Sequence, residues 1–337
     1  MTAVRPLVSV VMPAYNAEAF IGEAIRSVLA QTYANWELVV VDDASTDGTC
    51  AIVEAFAKYE PRIRLIRNAA NCGSAFVPRL TAVQNSRGEY VCSLDADDTV
   101  EPRFVEKLVD RASETGAVWV LPEMLKWTPE AVTGFPEMFD GVDTDRVYTG
   151  RELVRFTLDG WRIGANGLAK TDFFRNVAEA HTWRNLMNDD ELLTRHQLLV
   201  ADKVAIARAE YYYRVNPQSI TRKFTLKKFD PILTDAAIVE LTASEFGKDS
   251  EEYLRACRQQ FHGLVDAMVT RATMEKGEMR TTVDKIIKTH LAGLDGEALR
   301  RARASWKMRG ILAMPLPWGL KCAAMRAYFR LMKAVKS

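Results

Sequence analysis

The chain has 337 residues, 48% apolar and 26% charged, with a formal net charge of +1. This is the composition of an ordinary globular protein with one or two cores. It excludes a disordered polymer and a protein that binds polyanions through bulk charge.

The five cysteines, Cys50, Cys72, Cys92, Cys257 and Cys322, show no CxxC and no zinc spacing. They read as reduced thiols. The first apolar run, residues 7–12, is too short for the core of a signal peptide. No window reaches the roughly 18 apolar residues that cross a bilayer. The expected location is therefore the cytoplasm.

Four short Val-, Ile- and Leu-rich runs follow in order, at residues 7–12, 36–41, 63–67 and 90–94. They alternate little with polar residues, as parallel strands buried on both faces do. Helical stripes lie between them: Ile21, Ile25, Val28 and Leu29; then Ile52, Val53 and Phe56; then Leu80 and Val83. Strand and helix in alternation predict an α/β sheet with right-handed crossovers. A further strand is expected at 118–121, and an irregular excursion over 122–164, where prolines, glycines and acids break the pattern. Helices are expected near 150–159 and 189–200, and a strand over 203–215. Beyond Phe224 the pattern is helical.

The last forty residues stand apart. After Glu297 there is no acid, and there are ten Lys or Arg. Arg326, Arg330 and Lys333 share one helical face; Trp318, Met325, Phe329 and Met332 share another. Such a helix suits an anionic membrane surface.

Three of the strands end in polar signals: Pro13-Ala14-Tyr15-Asn16, then Asp42-Asp43 within DDASTDGT, then Asp95-Ala96-Asp97-Asp98. In an open parallel sheet, ligands bind beyond the carboxyl ends of the strands, so the three would share one edge. Crowded carboxylates call for a cation. Asp95 and Asp97, two apart, suit Mg²⁺ or Mn²⁺ on a diphosphate. Asp42 and Asp43 can accept hydrogen bonds from a base N–H or a ribose hydroxyl. Tyr15 offers a stacking face, and Arg79 a partner for phosphate or for the acids.

In order and spacing, VSVVMPAYN, WELVVVDDASTDGT, NCGSAFVPRL, GEYVCSLDADD and MNDDELLTRHQLL resemble family 2 glycosyltransferases of the GT-A fold. The resemblance runs from about residue 7 to residue 222. It implies a Rossmann-like, mostly parallel sheet flanked by helices. Residues 1–121 would form the nucleotide-sugar half and 122–222 the acceptor half. Residues 223–337 would be a helical C-terminal extension with a basic amphipathic end.

The resemblance also implies a nucleotide-sugar donor, UDP being the commonest, a divalent metal, and inversion at the anomeric carbon. By position, Pro13, Tyr15 and Asp43 line the base pocket. Arg79, Asp95, Ala96 and Asp97 bind the donor, with Asp95 and Asp97 at the metal. The family's acidic pair at a helix start, with an Arg six residues after its Asp, falls on Asn188-Asp189 and Arg195. Asp189 is then the general base, with Asp190 the alternative. Residues 161–174 match the acceptor side, and Asn166 a frequent Asn there. Trp161 and Trp183 offer faces for sugar stacking.

The acceptor implied is a saccharide or lipid-linked saccharide in cell-surface polysaccharide or glycoconjugate synthesis, with no nucleic acid involved. The Q-x-x-R-W signature of processive members is absent from the sequence, so one or a few sugars would be added. Two competing readings remain: a non-catalytic nucleotide-sugar scaffold, which needs no base, and a sugar-phosphate nucleotidyltransferase. The latter wants a glycine-rich basic loop after the first strand, and PAYNAEAF has neither. No GxGxxG follows a strand, which counts against a dehydrogenase.

Overall fold

A computed structural model describes residues 5–135, 137–160, 162–164, 166–181, 188–215 and 225–336, without the side chains of Asp189, Trp306 and residues 333–336. The chain forms two compact units. The first comprises Met1–Asn185 and Asp189–Ser219; the second comprises Leu186–Asn188 and Ile220–Ser337.

The first unit begins with β1 (Val8–Ala14), α1 (Ile21–Leu29), β2 (Trp36–Asp42), α2 (Thr49–Ala57), β3 (Ile63–Arg67), α3 (Phe76–Gln84) and β4 (Tyr90–Ser93). It continues through β5 (Thr99–Val100), α4 (Phe104–Thr115), β6 (Trp119–Trp127), β7 (Val132–Gly134), α5 (Gly150–Leu153), β8 (Leu168–Lys170), α6 (Thr171–Ala180), α7 (Asp189–Val200) and β9 (Val204–Arg214). Among the described residues these strands form one nine-stranded sheet in the order β3-β2-β1-β4-β8-β6-β9-β5, with β7 on β6. The pairs β3–β2, β2–β1 and β1–β4 are parallel, as is β6–β9; β8 runs antiparallel to both β4 and β6.

Strands β1 and β2 are buried at every position, which is why they read as unbroken apolar runs. Their side chains join those of Ile21, Ile25, Val28, Phe104, Leu108 and Tyr211 in the main core.

Two local expectations are corrected. Strand β6 runs on from 121 to Trp127, into the stretch expected to be irregular, because β9 pairs with it as far as Trp127 opposite Arg214. Its register shifts between Leu121 and Glu123, at Pro122, which has no N–H for the ladder. The helix expected over 150–159 is shorter: α5 stops at Leu153 and tightens into a 3₁₀ turn over Val154–Thr157.

The second unit is helical: α8 (Pro231–Phe246), α9 (Glu251–Arg271), α10 (Glu278–Ala292), α11 (Gly296–Arg301), α12 (Trp306–Ala313) and α13 (Trp318–Lys336). Phe261, Leu264, Val265 and Met268 of α9 are all fully buried, and α13 contributes Cys322 and Met325 to the same cores. The face of α13 bearing Trp318, Met325 and Phe329 therefore turns into the unit. Among the described residues no helix is long and apolar enough to cross a membrane. The five cysteines form no disulfide.

Candidate active site

Parallel pairing brings the three polar strand ends to one edge. Ala14 stands opposite Asp42, and Val11 opposite Ser93. The loops after β1 and β2 are laced together. The Asn16 Oδ1 accepts from the Thr46 backbone N–H (2.9 Å), the Ser45 hydroxyl accepts from the Asn16 N–H (2.9 Å), and the Thr49 hydroxyl accepts from the Ala17 N–H (2.8 Å). Both loops contain a left-handed non-glycine residue, Asn16 at φ 47° and Ala44 at φ 61°. Asn adopts this conformation readily, whereas at alanine it stores strain, which is tolerated where a loop must hold a set shape.

Pro13 is buried on β1 and Tyr15 is 41% exposed just beyond it. The Asp43 carboxylate is buried and faces the loop after β3. One oxygen accepts from Asn68 Nδ2 (2.8 Å) and the other from the Cys72 N–H (2.9 Å). Burial and the neighbouring Asp43 carboxylate push the Cys72 thiol up to about 11. Asp43 thus shapes the wall of the β1–β2 edge through that loop.

The acids after β4 answer to two arginines. Arg79, on α3, is buried; its Nη2 donates to Asp95 Oδ1 (2.7 Å) and its Nε to the Ser93 hydroxyl (2.9 Å). Burial disfavours its charge, but Asp95 and then Asp190 outweigh that and hold the guanidinium above its ordinary value. The Asp190 carboxylate is therefore within electrostatic reach of the group that grips Asp95. The second cation, Arg214, ends β9. Its Nε donates to the Asp97 carbonyl (2.7 Å), its backbone N–H to Asp98 Oδ1 (2.7 Å), and its Nη2 to Glu23 on α1 (2.6 Å). Its guanidinium lies 4.0 Å from the centre of the Trp127 ring.

Between the arginines stands Tyr211, fully buried. Its hydroxyl donates to Asp98 Oδ2 (2.8 Å) and accepts from the Asp95 N–H (3.1 Å) and from Asn166 Nδ2 (3.2 Å). The pairing of β5 with β9 sets this up: Val100 lies opposite Tyr211, so the Asp95–Asp98 turn falls on that side chain. Gly167 brings Asn166 in, since a Cβ there would sit 2.0 Å from the Val120 carbonyl. Burial, then the charges of Asp95 and Asp97, raise the Asp98 carboxyl well above the ordinary range. Burial, then Asp98 and Asp95, raise the Tyr211 hydroxyl likewise.

Asp98 is thus committed to Tyr211 and Arg214, which leaves Asp95 and Asp97 facing the edge, both half-buried. Asp95 has one oxygen on Arg79; among the described residues the other has a long 3.4 Å contact from Asn166. Hard carboxylates two residues apart fit Mg²⁺ or Mn²⁺, which commonly takes one or two protein carboxylates and fills its shell with phosphate and water. Among the described residues no cluster of three or more His, Cys, Asp or Glu forms a complete cage.

Asp189 opens α7, but its side chain lies outside the described atoms; Asp190 beside it is exposed. Arg195 is fully buried and ties α7 down, donating to the Glu191 carbonyl (2.9 Å) and the Thr157 carbonyl (2.6 Å). Trp161 and Trp183 lie outside the described residues.

The model for "Glycosyl transferase family 2" matches residues 9–163, the stretch that holds all three strand ends and Arg79. Over that stretch the chain is similar to glycosyltransferase family 2. TuaG of Bacillus subtilis, a glycosyltransferase named for teichuronic acid biosynthesis, is 41% identical over 110 residues, 33% of this chain and 43% of that protein. The chain spans less than half the length of the first curated relatives it matches.

Among solved structures, a Staphylococcus aureus TarS fragment in complex with UDP-GlcNAc superposes at TM-score 0.67. It covers 96% of this chain and 91% of that one at 18% identity. The mannosyltransferase PcManGT from Pyrobaculum calidifontis, in complex with GDP-Man and Mn²⁺, gives 0.53 at 16% identity over 97% and 88%. These neighbours share the GT-A fold with this chain. Tyr211 and Arg214 escaped the motif reading. Their only signal in the sequence was a polar end, YYYR, on an otherwise apolar strand.

Proposed function

We propose that this protein moves a sugar from a nucleotide-sugar, with UDP as the favoured nucleotide, to a hydroxyl of a saccharide or lipid-linked saccharide, inverting the anomeric carbon. One observation carries the reading most: Asp95 and Asp190 both act on the buried Arg79, one by a direct 2.7 Å bond and the other through its charge. A donor-side acid and an acceptor-side acid are thus both within reach of one buried cation, and a single displacement needs base and leaving group held in one aligned complex.

Donor binding falls to Pro13, Tyr15 and Asp43 for the base, with Asp43 acting through the Asn68–Cys72 loop as much as directly. Asp95 and Asp97 would hold the divalent ion, which, when bound, neutralises charge growing on the leaving diphosphate. The Mn²⁺ complex of PcManGT and the UDP-GlcNAc complex of TarS are consistent with both parts. Arg79 fixes Asp95 and supplies positive potential beside the diphosphate. Asn166 and Tyr211 keep the turn from shifting as charge develops. A carboxylate on α7 removes the proton from the acceptor hydroxyl as its oxygen attacks. Asp190, exposed and coupled to Arg79, and Asp189, at the matching family position, are the two groups for that role.

Two measurements test the proposal. A melting-temperature panel of UDP- and GDP-sugars, with and without Mn²⁺, should show one donor stabilising the protein only with metal. Asp189→Asn and Asp190→Asn should then be compared for transfer. The base variant should lose about 10²–10⁴-fold in rate and keep donor binding. Full turnover in both variants would remove the base from α7. Donor binding without turnover in the parent protein, with every acceptor tried, would favour the scaffold reading.

A further inference from the structure

The second unit contains an open cleft of about 540 Å³ that plays no part in the proposed transfer. Its walls are apolar, with Phe261 from α9, Leu291 from α10, Leu312 from α12 and Trp318 from α13. Its polar lining is cationic: Arg300, Arg309 and Lys321, with no acid. The Arg309 Nε is buried and finds no acceptor among the described residues. A buried, unmatched guanidinium N–H is costly, and an anionic oxygen in the cleft would relieve it.

A second feature adjoins the first along the chain. Ala313 lines the cleft, and Met314, Pro315, Leu316 and Pro317 after it are all exposed. The outward face of α13 continues the apolar surface with Leu320 (56% exposed), Ala323, Ala327 and Leu331 (66% exposed). At about 100° per residue these four fall within one stripe, with Lys321 on one flank and Arg330 on the other. This is the face opposite Trp318, Met325 and Phe329, which the unit's own core has taken. Basic side chains flanking an apolar stripe are what an interfacial helix presents to lipid.

We propose that the second unit docks on an anionic bilayer, with the stripe from Met314 to Leu331 in the interface and a lipid phosphate seated on Arg300, Arg309 and Lys321. Charge selects this occupant. An uncharged apolar partner would leave three cations facing hydrocarbon. A second copy docked through the same face would set like charges against each other, since the chain carries no acid after Glu297. The proposal rests on the lipid-linked acceptor reading for its purpose, but its test does not.

The full chain is sedimented with phosphatidylcholine vesicles, with or without a third of phosphatidylglycerol. Binding should require the anionic lipid and weaken with salt. The double variant R309Q/K321Q should lose binding about tenfold or more. Leu320→Ser with Leu331→Ser, both exposed and so harmless to folding, should lose it comparably, while transfer to a soluble acceptor stays at the parent's rate. Melting curves confirm that each variant folds. Equal binding to neutral vesicles, or unchanged binding by both double variants, overturns the proposal. So does stabilisation by inorganic phosphate as large as that by vesicles. A concentration-dependent dimer abolished by L320S/L331S, with no vesicle binding, would give the face to a second copy and overturn it too. Loss of transfer with intact vesicle binding would instead fault the catalytic reading alone.

Discussion

Arg79 shows how one side chain fixes a site. The residue is 7% exposed and its guanidinium has two set partners, Ser93 and Asp95. Arg79→Met keeps the packing and deletes the charge, so Asp95 loses its ion-pair partner while a third of its side chain still reaches solvent. A fully buried pair broken this way costs about 3–5 kcal/mol. Solvent at Asp95 should bring the loss to the lower end or below, and donor affinity should fall with it. Urea unfolding and donor titration read the two effects separately. Tyr211→Phe removes one hydroxyl that serves Asp95, Asp98 and Asn166, and should cost about 1–3 kcal/mol. An unchanged unfolding midpoint in Y211F would mean that the turn stands without it. The acids of this site were legible because carboxylates crowded after an apolar run are conspicuous in a sequence. Tyr211 and Arg214 were not, because they meet those acids across more than a hundred residues of chain, through a β5–β9 pairing that no local pattern announces.

At the level of elements, Glu37 holds the opposite end of the parallel strands. Its Oε1 accepts from the Ser9 hydroxyl (2.7 Å) on β1 and the Arg87 N–H (2.7 Å), and its Oε2 from Arg64 Nη2 (2.9 Å) on β3. Burial works to raise the Glu37 carboxyl; the hydrogen bonds from Ser9 and Arg87, then Arg64, outweigh it and hold the group below its ordinary 4.5. A carboxyl depressed in the folded state contributes stability above its unfolded value, and that stability is lost as pH falls through the folded value. Glu37→Gln should therefore be less stable than the parent at pH 7, by about 1–3 kcal/mol. Its stability should also fall less between about pH 5 and pH 3. Parallel stability–pH curves for the two proteins would contradict this. The four leading strands were readable because full burial on both faces leaves an uninterrupted apolar text. The far half of β6 was not: its last five residues are only half-buried, and pairing with β9 rather than hydrophobicity keeps them extended.

At the level of the whole molecule, the last helix shows why apolar spacing alone misassigns a surface. The α13 sequence has apolar residues on two opposite faces, and periodicity cannot say which one a core will claim. Packing against α9 and α10 claimed the face of Cys322, Met325 and Trp318, fixed further by Trp318 Nε1 donating to Asp284 (2.6 Å), which Arg271 also clasps. Every donor-side residue proposed here lies in the first unit, and that makes a prediction about where a ligand acts. A donor with Mn²⁺ at a hundred times its Kd should add about 2.7 kcal/mol to the stability of whatever unfolds with the site. If the units unfold separately, only one transition should move. Hydrogen exchange should slow over residues 13–16, 42–48 and 93–98, and stay unchanged over 231–313. In Asp97→Asn the metal-dependent part of both effects should vanish, leaving whatever protection the nucleotide confers alone. Slowing of the same size across α8 to α12 would show that the donor's binding energy is spread over the second unit as well, and that the site is not confined to the sheet edge described above.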